Sequence, residues 1–241
     1  MPEAEVSVVR NSVGTILAAA TIAAALAVWP AHTQVPAQTR AQAPAPAMSF
    51  FVTSVGLGDG ANLGGLAGAD GHCAFLAAAV GAGGKTWRAY LSKQASLVQA
   101  NMILEVNARD RIGSGPWHNA VGVEVAADVD ALHGEGNNIN KATALSERGE
   151  VVNGVGDEPN RHDILTGTRP DGKAYDPWYD WTCGNWTSNG PGEVMVGHHD
   201  LLGNRAAPSF WNNAHTAGCS QTNLARTGGE GLFYCFAFNE G

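Results

Sequence analysis

Four cysteines, Cys73, Cys183, Cys219 and Cys235, constrain this 241-residue chain more than any other feature. None stands in a Cys-x-x-Cys pair, so neither a zinc knuckle nor a dithiol redox motif explains them, and an even set in an exported chain reads as two disulfides. Export is indicated by Val13 to Trp29, "VGTILAAATIAAALAVW", a stretch without charge that follows Arg10 and runs into the small residues Val35-Pro36-Ala37. This is the pattern of a signal peptide over 1–37 with a Val-x-Ala cleavage site, and it predicts a secreted, periplasmic or cell-surface protein with no membrane attachment after cleavage. An uncleaved anchor is the alternative, because Glu3 and Glu5 weaken the positive start. Against it, seventeen Ala-rich residues are short for a span of about 20. Four cysteines permit three connectivities, and spacing alone does not choose among them.

Residues 38–47 alternate Pro and Ala with polar side chains and have no periodicity that could bury a core, so they read as a semi-extended linker to a single folded domain over 48–241. Removing 1–37 takes away Arg10, Glu3 and Glu5. That leaves 14 − 1 = 13 basic against 22 − 2 = 20 acidic residues, a net charge of −7. Phosphate or sulfate recognition needs a clustered basic face, and no Lys/Arg run exists here, so nucleic acid and anionic sugars are disfavoured as bulk electrostatic partners.

Thirty-one glycines, many in Asn-Gly, Asp-Gly and Gly-Pro steps, predict a chain of short elements joined by turns. In "GADGHCAFLAAAVGAGG" the residues Cys73, Leu76, Ala77 and Val80 recur at helical spacing, with Asp70 as a candidate cap and Gly81 after the last turn. "KTWRAYLS" alternates Trp87, Ala89 and Leu91 against Arg88 and Tyr90, as a half-buried strand does. "MSFFVTSVG", "PWHNAVGVEVAADV" and "GLFYCFAFN" are further strand-like runs, and the last carries Cys235. The reading is an α+β domain of short antiparallel strands, one or two helices and long loops.

This order of pieces resembles the endostatin domain of collagens, a member of the C-type-lectin-like fold. The matching segments are "GADGHCAFLAAAVGAGGKTWRAYLS", "VNARDRIGSGPWHNAV", "LTGTRPDGKAY" with the following Cys183 and Trp186, and "GCS" with "GLFYCFAFN", over most of Phe50 to Asn239. The resemblance implies nested disulfides, Cys73–Cys235 and Cys183–Cys219. Loops of 235 − 73 = 162 and 219 − 183 = 36 residues contribute roughly 3–5 kcal/mol each in the chain-entropy account. Sugar-binding lectins of this fold hold calcium with a Glu-Pro-Asn or Gln-Pro-Asp triplet and a Trp-Asn-Asp triplet. Here Arg169-Pro170-Asp171 and Trp211-Asn212-Asn213 stand at the similar places. Arginine offers calcium no oxygen, and Asn213 replaces a carboxylate by an amide, so the usual calcium-dependent sugar site is not expected. Glu158-Pro159-Asn160 matches the triplet but lies upstream of the proper loop, 183 − 158 = 25 residues before Cys183, and is read as a chance match. The zinc-holding positions near the N-terminus of endostatins have no counterpart in this chain.

Direct recognition is then expected from Arg169, Asp171, Asn212 and Asn213, which offer a charged fork, an acceptor and two amides, with Trp211 as an apolar face. Trp178, Tyr179, Trp181 and Trp186 crowd around Cys183 and suit a sugar platform or a disulfide-rich core equally. A metal reading uses His198, His199, Asp200 and His215, since imidazole and carboxylate at a loop mouth ligate zinc or a similar ion. Successive strand residues face opposite ways, so His198 and His199 are not expected to share an ion: one should pack inward and the other meet solvent. Motif spacing supports neither zinc nor calcium, and no cofactor is expected. His162-Asp163 reads equally as a turn former, and Ser220 lacks a nucleophile context. The leading expectation is an exported non-enzymatic binding module for carbohydrate or an extracellular protein. A metal-dependent hydrolase and a purely structural surface protein are the rivals.

Overall fold

A computed structural model describes residues 47–98, 101–200 and 208–239. The signal segment 1–37 and most of the linker 38–47 lie outside the described residues. The order of elements is β1 (Phe50–Val52), α1 (Gly65–Ala79), β2 (Trp87–Ala89), β3 (Ser96–Val98), β4 (Asn101–Ile103), β5 (Trp117–His118), β6 (Glu124–Ala126), α2 (Val129–Leu132), β7 (Asp163–Leu165), α3 (Cys183–Trp186), β8 (Glu193–His198), β9 (His215–Gly218), α4 (Gln221–Thr227) and β10 (Gly229–Ala237). This is a mixed α and β architecture of short strands and few helices. Among the described residues no helix is long and apolar enough to cross a membrane.

The nine-residue β10 organises the molecule. It pairs with β1 and β2 antiparallel and with β7 parallel, and the sheet continues through β8 to β9. The parallel β10–β7 step departs from the all-antiparallel expectation. Period-two alternation sends Phe233, Cys235 and Ala237 to one face, where they join Phe51, Leu76, Trp87, Trp186 and Val196. The same alternation sends Leu232, Tyr234 and Phe236 to the other, with Phe50, Tyr90, Trp117, Ile164 and Trp211. The sheet is thus covered on both faces, which is why "GLFYCFAFN" reads as a continuous apolar run.

Helix α1 lays Ala69, Cys73, Leu76 and Ala77 on the first of these cores, and Gly81 follows its end at φ +81°. Asp70 is not its cap. The helix begins five residues earlier, at Gly65, and the buried Asp70 carboxylate accepts hydrogen bonds from Arg88 Nη1 at 2.8 Å and Arg111 Nη2 at 2.7 Å. Tyr90, expected on the wet side of its strand, is fully buried, because the second core receives it.

The disulfides are Cys73–Cys235 and Cys183–Cys219, the pairing the resemblance implies. The first ties α1 to β10. The second ties the one-turn α3, whose Gly184 and Asn185 adopt left-handed conformations, to the end of β9.

Candidate metal centre and the long-loop region

Strands β7, β8 and β9 lie side by side, and their register decides which polar side chains meet. Asp163 opposes His198 across β7 and β8, while His215 opposes Val196, two residues along the same face of β8. Asp163, His198 and His215 therefore gather on one face, and His162, just ahead of β7, folds over them. The His162 and His198 rings stack at 4.0 Å between centroids. Gly228 makes this approach possible. At φ +100° it lies flush against His162, and a Cβ there would come within 2.9 Å of the ring and 2.6 Å of the Asn160 amide.

Three imidazole nitrogens converge on one carboxylate oxygen. Nε2 of His162, His198 and His215 lie 3.1, 3.2 and 3.3 Å from Asp163 Oδ1. His162, Asp163 and His198 are buried, and the side chain of His215 is 38% exposed, so the group opens to solvent on the β9 side. Burial alone would raise the Asp163 carboxyl, but the approach of His198, His215 and Thr227 outweighs it and holds the group down at about 2. The same contact with Asp163 raises His215 above the ordinary histidine value, against its partial burial.

His199 and Asp200 do not join this group. Alternation along the strand turns His199 the other way, as expected, but it is buried rather than solvated, with Nε2 3.0 Å from the Asn153 carbonyl. Burial lowers its pKa. Asp200 stands behind the cluster: its Oδ2 accepts from the Val155 amide at 2.8 Å and its Oδ1 lies 3.6 Å from His162 Nδ1. The metal set read from the sequence is thus corrected at two positions. His198 and His215 stay, and His162 and Asp163 replace His199 and Asp200. These partners lie on separate strands, so no local spacing could have announced them. The one usable signal was a second polar pair, His162-Asp163, ahead of an apolar strand.

The residues expected to recognise a ligand directly are engaged elsewhere. Trp211 is fully buried against Tyr90, His133 and Tyr234, so it offers no open face. Asn212 is fully buried too, and its Nδ2 donates to Tyr90 Oη at 3.0 Å and lies 3.3 Å from each of the Arg169 and Pro170 carbonyls. Asn213 donates to the Thr168 carbonyl at 2.9 Å and to Tyr175 Oη at 2.6 Å. Arg169 pairs with its own neighbour Asp171 at 3.1 Å, and both remain partly exposed. Trp211 and Asn212 are thus corrected from ligand contacts to internal joints, because the β10 core takes the indole and the loop backbone takes the amide.

The tryptophans near Cys183 divide. Trp186 is core, its Nε1 donating to the Ser92 carbonyl at 2.7 Å, whereas Trp178 is 93% exposed. Trp178 and Tyr179 border a groove of about 540 Å³ whose other wall includes Leu97 and Met102, cross-strand partners in the β3–β4 hairpin. Asn185, in a glycosylation-type triplet, is tied to Gln94 through both ends of its amide. Ser220 caps α4, accepting from the Asn223 amide at 3.2 Å. No family model matches this chain, and no curated protein is significantly similar to it.

Proposed function

We propose that this chain is an exported, non-enzymatic binding module with an endostatin-like, C-type-lectin-like domain, which recognises carbohydrate on a surface glycan without calcium. The nested disulfides and the pairing of the first strand with the last support the lectin-like reading. The observation that carries the function is Trp178, 93% exposed at the edge of a groove of about 540 Å³. The exposed indole leaves its face open to stack on a ligand ring, and a groove of this size falls in the range of ligand sites. The indole and Tyr179 offer flat apolar faces to a sugar ring, and Asp180 lines the groove beside them while its carboxylate accepts from Thr182 and Gly184. Calcium is not called on: the residues at the two triplets bond to one another and to the backbone.

The test is a glycan and extracellular-protein array probed with the disulfide-bonded protein, with and without chelator. Binding to at least one glycan that survives chelation and falls at least tenfold in Trp178→Ala is the expected result. Retention of protein ligands only, or equal binding by Trp178→Ala, contradicts it.

A further inference from the structure

We propose that His162, Asp163, His198 and His215 form a transition-metal site that takes one zinc ion. This goes beyond the sugar-binding reading and does not depend on it. The argument starts from hydrogen-bond capacity. A carboxylate oxygen has about two lone-pair positions, so three imidazole donors aimed at Asp163 Oδ1 exceed what it can accept. The contacts do not behave as hydrogen bonds either. At 3.1–3.3 Å they are close enough, yet neither oxygen of Asp163 and neither nitrogen of His198 has a partner of acceptable direction. Buried polar atoms normally find partners, and an ion among these side chains would supply one to His198 Nε2 and to an Asp163 oxygen, leaving His198 Nδ1 outside its reach.

The lengths fit a coordination shell. Zinc bound at about 2.0–2.1 Å by nitrogen and oxygen in a tetrahedron sets its ligand atoms about 3.3–3.4 Å apart, from the tetrahedral edge of 1.63 bond lengths. The three Nε2–Oδ1 separations lie at or just under that edge, and all four candidate ligand atoms lie within 4.8 Å of one another.

The surroundings fit at His215. A ligating histidine typically gives its other ring nitrogen to a carboxylate or carbonyl, which fixes the tautomer and turns the remaining lone pair to the metal. His215 Nδ1 does so, 3.0 Å from the Thr216 carbonyl, whereas His162 Nδ1, 3.6 Å from the Asp200 carboxylate, lies beyond hydrogen-bond reach and His198 Nδ1 has no partner. Three imidazoles select against calcium and magnesium, which take oxygen ligands. Four protein ligands fill a tetrahedron, the arrangement of a structural or capturing site, whereas a hydrolytic zinc keeps a position for water. The ion therefore does not make the protein a hydrolase. His215, exposed on one side, gives it a way in.

The experiment uses the disulfide-bonded chain stripped with chelator, titrated calorimetrically with zinc chloride and separately with calcium chloride, and loaded with cobalt(II) as an optical reporter. Expected are one zinc per chain, no calcium binding at this site, and the strong visible absorption of tetrahedral cobalt. His215→Ala should weaken zinc by more than the roughly 10–100-fold that loss of a supporting partner costs, and should abolish the cobalt band. Because His215 is partly exposed, that variant should keep the parent circular dichroism. Should it nonetheless misfold, Asp163→Asn, which keeps the shape of the side chain, gives the same readout. Absence of zinc binding by the parent protein, or undiminished zinc binding by a folded His215→Ala, overturns the proposal.

Discussion

The two polar regions on either side of β8 use similar residues to opposite ends. Around Trp211, Asn212 and Asn213, each side-chain amide donates to a named carbonyl or hydroxyl, and Arg169 closes on Asp171. Around Asp163, three imidazoles press on one oxygen, and their buried atoms lack partners of proper direction. Donors spread over separate acceptors mark a joint, even though Trp211 Nε1 and Asn212 Oδ1 lack a partner. Three imidazoles converging on a single carboxylate oxygen mark a place built for something else. Residue identity alone does not separate the cases, since an Asn-Asn pair beside a Trp reads as recognition and a His-Asp pair reads as a turn.

The comparison can be broken at either end. The largest effect should come from the loop side: Trp211→Ala removes a fully buried indole from the β10 core and should cost about 3–5 kcal/mol. Chemical denaturation with and without zinc checks this. The loss should be the same in both, because the indole belongs to the joint.

Next in size is the response of the converging cluster to its ion. Zinc at a free concentration of 100 times Kd should stabilise the parent protein by about 2.7 kcal/mol. For a domain of this size that amounts to a rise in Tm of about 5–10 °C. His215→Ala should show no such rise in a thermal scan, and calcium should produce none in either protein. A zinc-induced rise that persists in His215→Ala would place the ion elsewhere.

The smallest effect is expected at Arg169. Its partner Asp171 is partly exposed, so Arg169→Ala should change stability by less than about 1 kcal/mol. It should also leave glycan retention and zinc affinity unchanged, because the pair is closed on itself. A tenfold loss of glycan binding in Arg169→Ala would return the recognition site to the loop and take it away from Trp178.

Much of the frame was legible in the sequence because it is written locally. Helical spacing located α1 around Cys73, and aromatic runs marked β1 and β10. What failed was local reading of non-local facts. Asp70 looks like a cap beside the helix, but Arg88 and Arg111 draw it inside. The parallel pairing of β10 with β7 leaves no trace in either segment alone. The site suffered most, since its partners come from β7, β8 and β9 and meet only through register. His198 and His215 were recognisable as ligand types, whereas their companionship with His162 and Asp163 needed the sheet.

The most direct test of the contrast is a crystal of the zinc-loaded protein with anomalous differences recorded at the zinc absorption edge. The account predicts one strong peak about 2.0–2.1 Å from Nε2 of His162, His198 and His215 and from an Asp163 oxygen. It also predicts that Asn212 keeps its bonds to Tyr90 and the loop carbonyls. A peak beside the Arg169–Asn213 loop, or none within reach of Asp163, would contradict it.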